Sequence, residues 1–463
     1  MAEFECPLHA AALETPCAPA LVSGSGALSF RDVEVRVQAT AAALRNAGLR
    51  PGGRAALPGR ASSGDITLFL ALLRAGVVAC PVNPRFPEAY AMALLGRVGA
   101  QRLPPLPDVP SAGDAQVEAA PPRIPEDRPA TIIFTSGSAG SPKAALHSYG
   151  NHCHSALQSN RNIALRPGDC WLLSLPMFHV AGIGVLFRCL VSGAAVAVPE
   201  DREPIEAAVV RYGVTHLSLV ATQLHRLLQS EEGRAALRRV RAILLGGSAF
   251  PDGLVREAFA LGLPIYTSYG LTEMASQVTT TRAGDPLDRL LTSGAPLSPG
   301  NLRISGDGEI LVRGKTLFLG YVDGEQVMRS LTEDGWFATG DLGAQDAQGY
   351  LAVTGRRDNM FISGGENIQP EEVERSLCKC VGVCEALVVP VSHAEFGAVS
   401  AAFVRYAPGT ARDEAGLQRE LEKALPKFKV PRRILPWPED LAGLGIKLGR
   451  KAFAERASVL LSG

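Results

Sequence analysis

Residues 131–143 read TIIFTSGSAGSPK, and this stretch decides how the rest of the chain is read. Its apolar, β-branched start predicts a strand. The strand runs straight into Ser and Gly and closes on Lys143. Glycine leaves the backbone uncovered, so successive N–H groups can face an anion. The hydroxyls of Thr135, Ser136, Ser138 and Ser141 add donors, and the ammonium of Lys143 suits phosphate. One reading is a polyphosphate cradle; the plainer one is an exposed Ser/Gly turn. A Walker A loop is excluded. It requires G-x-x-x-x-G-K-[ST] opening a helix, whereas here Gly140 lies three residues before Lys143, Pro142 intervenes and Ala144 follows.

Outward from this loop, the 463 residues suffice for two or three domains. Basic and acidic residues balance at 46 each, so no field of one sign argues for nucleic acid. Nine cysteines at irregular spacing suggest a reducing, cytoplasmic setting rather than a disulfide framework. Cys378, Cys380 and Cys384 are close in sequence, but no fourth ligand follows at a standard metal spacing. The start, MAEFECPLHAA, lacks the basic and apolar regions of a signal peptide. The longest apolar run, residues 68–82, is broken by Arg74 and is too short to span a membrane.

Strand and helix signals alternate through the first part of the chain. A strand and helix are expected over residues 28–46, an apolar helix over 65–79, a turn over 82–87 and a loop over 105–129. Short strands at 132–134, 170–175, 196–198, 216–220 and 242–245, with helices at 151–161 and 206–212, predict α/β layers with a partly buried parallel sheet. From Gly294 onward, short strands separated by Gly and Asp (309–312, 320–321, 349–354) predict a small β-rich, barrel-like subdomain. A second unit follows, with helices at 370–377 and 414–425 and strands at 385–391 and 400–404. The expected division is a large domain of packed sheets and helices, residues 1–357, and a small mobile α+β cap, residues 358–463.

Further along, SLPMFHVAG places His179 beside Met177 and Phe178, as a core histidine or the wall of an acyl pocket. Arg188 interrupts the apolar run VLFRCLVSGAAV. A charge there is unfavourable unless paired or bound to an anion; its guanidinium either bridges to an acid or binds a substrate carboxylate. LLGGSAF opens a strand onto Gly246, Gly247 and Ser248, where a flat ring can lie on backbone. YTSYGLTEMASQ offers the ring of Tyr269, then Gly270, the hydroxyl of Thr272, and Glu273 as an oxygen ligand for Mg²⁺. Asp341 in GWFATGDL can accept ribose hydroxyls. GRRD contributes Arg356 and Asp358 at the suspected boundary. Gly364 and Gly365 precede a helix, and Lys447 lies in GIKLGRK.

Together these motifs resemble, in order and over nearly the whole chain, the adenylate-forming superfamily of acyl-CoA synthetases, peptide-synthetase adenylation domains and luciferases. The resemblance implies ATP, Mg²⁺ and coenzyme A as reactants or cofactors. Thr135, Ser136, Gly137, Ser138, Gly140 and Lys143 would hold phosphates. Gly246, Gly247, Ser248, Tyr269 and Gly270 would embrace adenine. Thr272 would contact phosphate, Glu273 would hold Mg²⁺, and Asp341 with Arg356 would take the ribose. Asp358 would be the hinge, and Gly364 and Gly365 would border the pantetheine passage. Catalytic contacts would come from Lys447, Lys143, Thr272 and His179, and contacts to the acid from His179, Arg188 and Ser248. One departure is that the family's PRTGNGK-type segment reads LAGLGIKLGR here; the spacing Lys447-x-x-Arg450 survives without the preceding Pro and Thr.

Within the superfamily, LPMFHVAG, Arg188 in VLFRCL, YGLTEMASQ and DNMFISGGENIQPEEVE look most like the ligases that join 2-succinylbenzoate to CoA in menaquinone or phylloquinone synthesis. An arginine at the place of Arg188 meets the succinyl carboxylate in those enzymes. Another aryl- or medium-chain acyl-CoA ligase is the alternative. The implied partners are small molecules, with no nucleic acid and no transmembrane segment, and a homodimer is compatible with the family.

Overall fold

The computed structural model describes residues 2–103, 117, 120–135, 142–247, 250–393, 396–407, 409–410, 413–441 and 450–461. Two large sheets organise the first part. One has nine strands; its centre is parallel and is built from Ile265–Leu271, Ala242–Leu245, His216–Leu219, Cys170–Leu172, Ala195–Ala197 and Pro19–Ser23. Ala242–Leu245, Cys170–Leu172 and Ala195–Ala197 are short, apolar and wholly buried, as cover on both faces requires. The second sheet has six strands. Arg54–Pro58, Val78–Val82 and Pro129–Thr135 run parallel, and Lys143–Ser148, Gly320–Asp323 and Gln326–Met328 continue it antiparallel.

The helices Tyr149–Asn162 and Val180–Ser192 share one buried core with both sheets, which contribute Ile133 and Ala79 on one side and Trp171 and Val196 on the other. Tyr149–Asn162 starts where the strand Lys143–Ser148 stops. Ser148 Oγ accepts from the Asn151 N–H at 3.1 Å, and Asn151 Oδ1 accepts from the Ser148 N–H at 2.8 Å. This reciprocal cap satisfies two donors that the helix start would otherwise orphan. Asn151 Nδ2 also donates to the carbonyls of Lys315 and Leu317, tying the helix start to the approach of the Gly320–Asp323 strand.

Leu302–Ile304, Glu309–Val312, Phe337–Gln345 and Leu351–Arg356 form a four-stranded antiparallel sheet, the small β subdomain. Beyond it, the hairpin Phe361–Ser363 and Glu366–Ile368, the helices Pro370–Leu377 and Glu414–Ala424, and a three-stranded sheet build two further buried clusters from residues after 360. Among the described residues, no helix is long and apolar enough to cross a membrane.

Two expectations shift. The helix expected over 65–79 is Ser63–Ala75, ended by Gly76 in the left-handed conformation at φ 75°. Val78–Val82 is instead a fully buried strand of the six-stranded sheet. A nearly continuous apolar run carries no period that separates a buried helix from a buried strand. Gly320 and Tyr321, read as part of the β subdomain, pair with Leu146 and Ala145 in that same sheet. Strand partners so distant in sequence leave no local signal.

Candidate active site

Thr135 and Lys143 face each other in register across the antiparallel strands Pro129–Thr135 and Lys143–Ser148. The loop between them therefore returns into a strand rather than opening a helix, consistent with the exclusion of a Walker A loop. Ser136, Gly137, Ser138 and Gly140 lie outside the described residues, as do Ser248 and Lys447. Lys143 is exposed, and its Nζ stands 4.9 Å from the centroid of the Tyr321 ring.

Across from it comes the segment that begins as the central strand Ile265–Leu271. The register of this strand shifts at Tyr269/Gly270 as it leaves its parallel neighbour for the antiparallel Ser276–Thr280. Such an irregularity re-aims side chains. The short 3₁₀ turn Thr272–Met274 follows. His147 Nε2 lies 2.7 Å from the Thr272 carbonyl oxygen, so that nitrogen carries the proton and donates. Burial pushes His147 down to about 4, only partly offset by this bond. The ring is neutral at pH 7. His152 packs against it, 5.2 Å between centroids, and is held well below the usual histidine range by the same burial.

Glu273 accepts a hydrogen bond from the Tyr321 hydroxyl. Burial and the facing carboxylate raise the phenol's pKa, so Tyr321 stays a donor. No group of three or more His, Cys, Asp and Glu among the described residues could cage a metal. Mg²⁺ is usually held by one or two carboxylates plus substrate phosphates rather than by an all-protein shell. Glu273 is half-buried, supplies a hard oxygen donor, and fits that role.

A second cluster centres on Asp341 in Phe337–Gln345. The Tyr269 hydroxyl donates to its Oδ2 at 2.6 Å, and Arg356 Nη1 donates to its Oδ1 at 2.8 Å from the facing position of Leu351–Arg356. Arg356 also reaches Asp358, 3.6 Å away, in the turn Arg357–Asn359. Burial opposes the Arg356 charge, but the two carboxylates outweigh it and raise its pKa. Burial, then Asp341, lifts Tyr269 well above the ordinary phenol. The TGD motif has a local cause. Thr339 Oγ1 donates to the Ile310 carbonyl and accepts from the Asp341 N–H. Gly340 has φ 74°, and a Cβ on it would meet Arg356 Nη2 at 3.0 Å, so a larger residue would strain the backbone and press on Arg356.

Arg188 lies on Val180–Ser192 and is 1 % exposed. Its Nη2 donates to Ser276 Oγ at 3.0 Å, and the guanidinium sits 5.1 Å from the Trp171 ring centroid. Its Nε is buried with no hydrogen-bond partner. No acid among the described residues pairs with it. Burial lowers its pKa to about 10. The guanidinium remains charged at pH 7 and under-satisfied.

Other expected residues stand apart from these clusters. His179 is the N-cap of the Arg188 helix, its ring 4.6 Å from Phe178. Gly246 and Gly247 follow the strand Ala242–Leu245, and Gly246 lies beside Ser268. Gly364 and Gly365 are the turn of the hairpin Phe361–Ser363/Glu366–Ile368, both at positive φ, and Gly364 N–H donates to the Phe396 carbonyl. Arg450, three residues beyond Lys447, ion-pairs with Glu371 and Glu374 on Pro370–Leu377 and donates to the Val388 carbonyl. Sequence reading missed Tyr321, His147, Ser276 and Trp171. Ser276 sits inside YTSYGLTEMASQ but was given no role there, and each of the four matters through a contact made in space.

The chain matches the family model "AMP-binding enzyme" over residues 8–105 and 97–322, and "AMP-binding enzyme C-terminal domain" over 372–441. It is 36% identical over 450 residues to a 2-succinylbenzoate–CoA ligase of Salmonella typhimurium, covering 95% of this chain and 94% of that one. Among solved structures, an arginine-to-lysine variant of E. coli MenE with bound OSB-AMS is similar at TM-score 0.85 and 33% identity, covering 99% of this chain and all of that one. The o-succinylbenzoate coenzyme A synthetase (MenE) of Bacillus subtilis, in complex with ATP and magnesium ion, is similar at TM-score 0.81 and 28% identity, covering 94% of this chain and 96% of that one.

Proposed function

We propose, for a chain that belongs to the AMP-binding enzyme family, the reaction of its 2-succinylbenzoate–CoA ligases: ATP-dependent adenylation of 2-succinylbenzoate, then transfer of the acyl group to coenzyme A in menaquinone or phylloquinone synthesis. The observation that carries the choice of acid is Arg188. A buried guanidinium with an unsatisfied N–H and no acid partner among the described residues suits a substrate that brings its own second carboxylate. The activated carboxylate loses its charge on adenylation, whereas the second keeps its charge throughout and needs a lasting cationic partner.

A carboxylate is a poor electrophile. In the first step its oxygen attacks the α-phosphorus of ATP; an acyl–O–P bond forms and the P–O bond to pyrophosphate breaks. In the second step the sulfur of CoA attacks the acyl carbonyl, a C–S bond forms, and AMP leaves with the electron pair. The protein provides no nucleophile. Its work is positioning and charge stabilisation. Thr135, Ser136, Gly137, Ser138, Gly140, Lys143 and Thr272 are assigned to the phosphates. Gly246, Gly247, Ser248, Tyr269 and Gly270 are assigned to adenine. Asp341, steadied by Tyr269 and Arg356, is assigned to the ribose hydroxyls. Glu273 would hold Mg²⁺, which when bound neutralises phosphate charge. His179, Arg188 and Ser248 are assigned to the acid. Residues 358–463 form a cap hinged at Asp358 that brings Lys447 to the acyl carboxylate and α-phosphate during adenylation, keeps water from the mixed anhydride, and then turns Gly364 and Gly365 towards the pantetheine arm.

The test is carboxylate-dependent exchange of labelled pyrophosphate into ATP, with 2-succinylbenzoate, benzoate and a medium-chain fatty acid. Strong preference for the diacid is expected. Preference for a monoacid would replace the substrate assignment with a general acyl-CoA ligase, and no exchange with any acid would reject adenylation.

A further inference from the structure

We propose that Tyr321 is a positioning residue for both charges of the phosphate site, its hydroxyl holding Glu273 and its ring face holding the ammonium of Lys143. The proposal rests on the roles given above to Lys143 and Glu273 and adds a third residue that orders them.

The strand pairing makes the arrangement possible. Tyr321 is opposite Ala145 in the pair between Gly320–Asp323 and Lys143–Ser148. Lys143 is two residues from Ala145 and so emerges on the same face of the sheet. A diagonal neighbour at that spacing is within reach of an aromatic ring, and Lys143 Nζ lies 4.9 Å from the ring centroid. Glu273 arrives from a different sheet. The Phe318 N–H donates to the Glu273 carbonyl oxygen at 2.7 Å, which seats the Thr272–Met274 turn against the approach to Tyr321. The Phe318 ring meets Tyr321 edge-on at 4.8 Å between centroids and limits its rotation. The Tyr321 hydroxyl then closes onto Glu273 Oε1.

The chemistry of this choice is specific. Lys143 and Glu273 make no ion pair with each other or with any other group among the described residues. Each is steadied by a neutral group instead: the ammonium by a π face, the carboxylate by one hydroxyl donor that leaves its second oxygen open. A direct Lys–Glu pair would cancel the two charges that a phosphate and its cation need. Tyr321 orders both without neutralising either. Hydrogen bonding to a ligating carboxylate is the usual way in which the protein behind a metal ligand fixes its orientation.

Two substitutions separate the two contacts. Tyr321→Phe keeps the ring and removes the hydroxyl; Tyr321→Leu removes both. ATP binding is measured at equilibrium by calorimetry, without acid or CoA, in EDTA and across a Mg²⁺ titration, with melting curves to establish folding. For Tyr321→Phe the Mg²⁺ concentration giving half-maximal ATP binding should rise about tenfold, while binding in EDTA stays at the wild-type value. Tyr321→Leu should show the same shift and, in addition, about a two- to fivefold loss in EDTA. A folded Tyr321→Phe with wild-type Mg²⁺ dependence would overturn the link to Glu273, and wild-type binding of Tyr321→Leu in EDTA would overturn the link to Lys143. Wild-type protein that binds ATP without any response to Mg²⁺ would instead remove the assignment of Glu273 on which the proposal stands.

Discussion

Replacing Arg188 by Met separates a substrate-binding cation from a structural one. The side chain is buried, and burial lowers its pKa from the ordinary guanidinium value to about 10. That fall means the empty site disfavours the charged form by about 3 kcal/mol relative to water. Two contacts offset it: the Trp171 face at 5.1 Å, about 2 kcal/mol when desolvated, and the bond to Ser276, about 1 kcal/mol. These nearly cancel. Methionine fills similar volume, and no acid is left orphaned. The equilibrium stability of Arg188→Met should therefore stay within about 1 kcal/mol of wild type, whereas breaking a buried ion pair costs about 3–5 kcal/mol. Activity should behave oppositely. Losing the partner of the second carboxylate should cost about 2–4 kcal/mol of transition-state binding, or about 30- to 1000-fold in kcat/KM for 2-succinylbenzoate. Urea denaturation gives the first quantity, and pyrophosphate exchange with 2-succinylbenzoate and benzoate gives the second. Equal losses for both acids, together with a stability loss of several kcal/mol, would refute the reasoning and make Arg188 structural.

Three other perturbations test further assignments. Lys447→Ala should cut adenylation by orders of magnitude yet spare thiolation of supplied acyl adenylate; equal losses in the two half-reactions would reject its assignment. Asp358→Pro restricts φ at the proposed hinge and should slow thiolation more than adenylation, as measured by single-turnover assays of each half; a defect confined to adenylation would exclude the hinge role. His147 has a folded pKa of about 4 against 6.5 for the free group, so the unfolded chain binds the proton first as pH falls. Its contribution is fully present above pH 6.5 and is lost towards pH 4, by about 3 kcal/mol. His147→Gln should flatten the fall in urea-denaturation stability over that window, and an unchanged slope would show that other groups govern it.

Much of the chemistry was legible locally. TSGSAGSPK, YGLTE, TGD and GRRD carry their donors in short runs, and a strand followed by Gly or a polar turn constrains backbone whatever surrounds it. The helix Pro370–Leu377 and the strands Ala242–Leu245 and Glu309–Val312 are placed by the same local rules, because alternation, caps and breakers act over a few residues. The helix–strand boundary at Gly76 was not legible, since residues 68–82 are apolar but for Arg74 and both states bury them. The sequence by itself determined the fold class, the order of the motifs and the presence of a cation in an apolar run at Arg188. Whether that cation meets an acid was decided only by tertiary structure, which surrounds it with Trp171 and Ser276 and pairs it with no carboxylate among the described residues. The same holds for Tyr321, 178 residues from Lys143 and 48 from Glu273 in sequence. Contacts over such separations depend on which strands become neighbours, and no local preference of the chain specifies that.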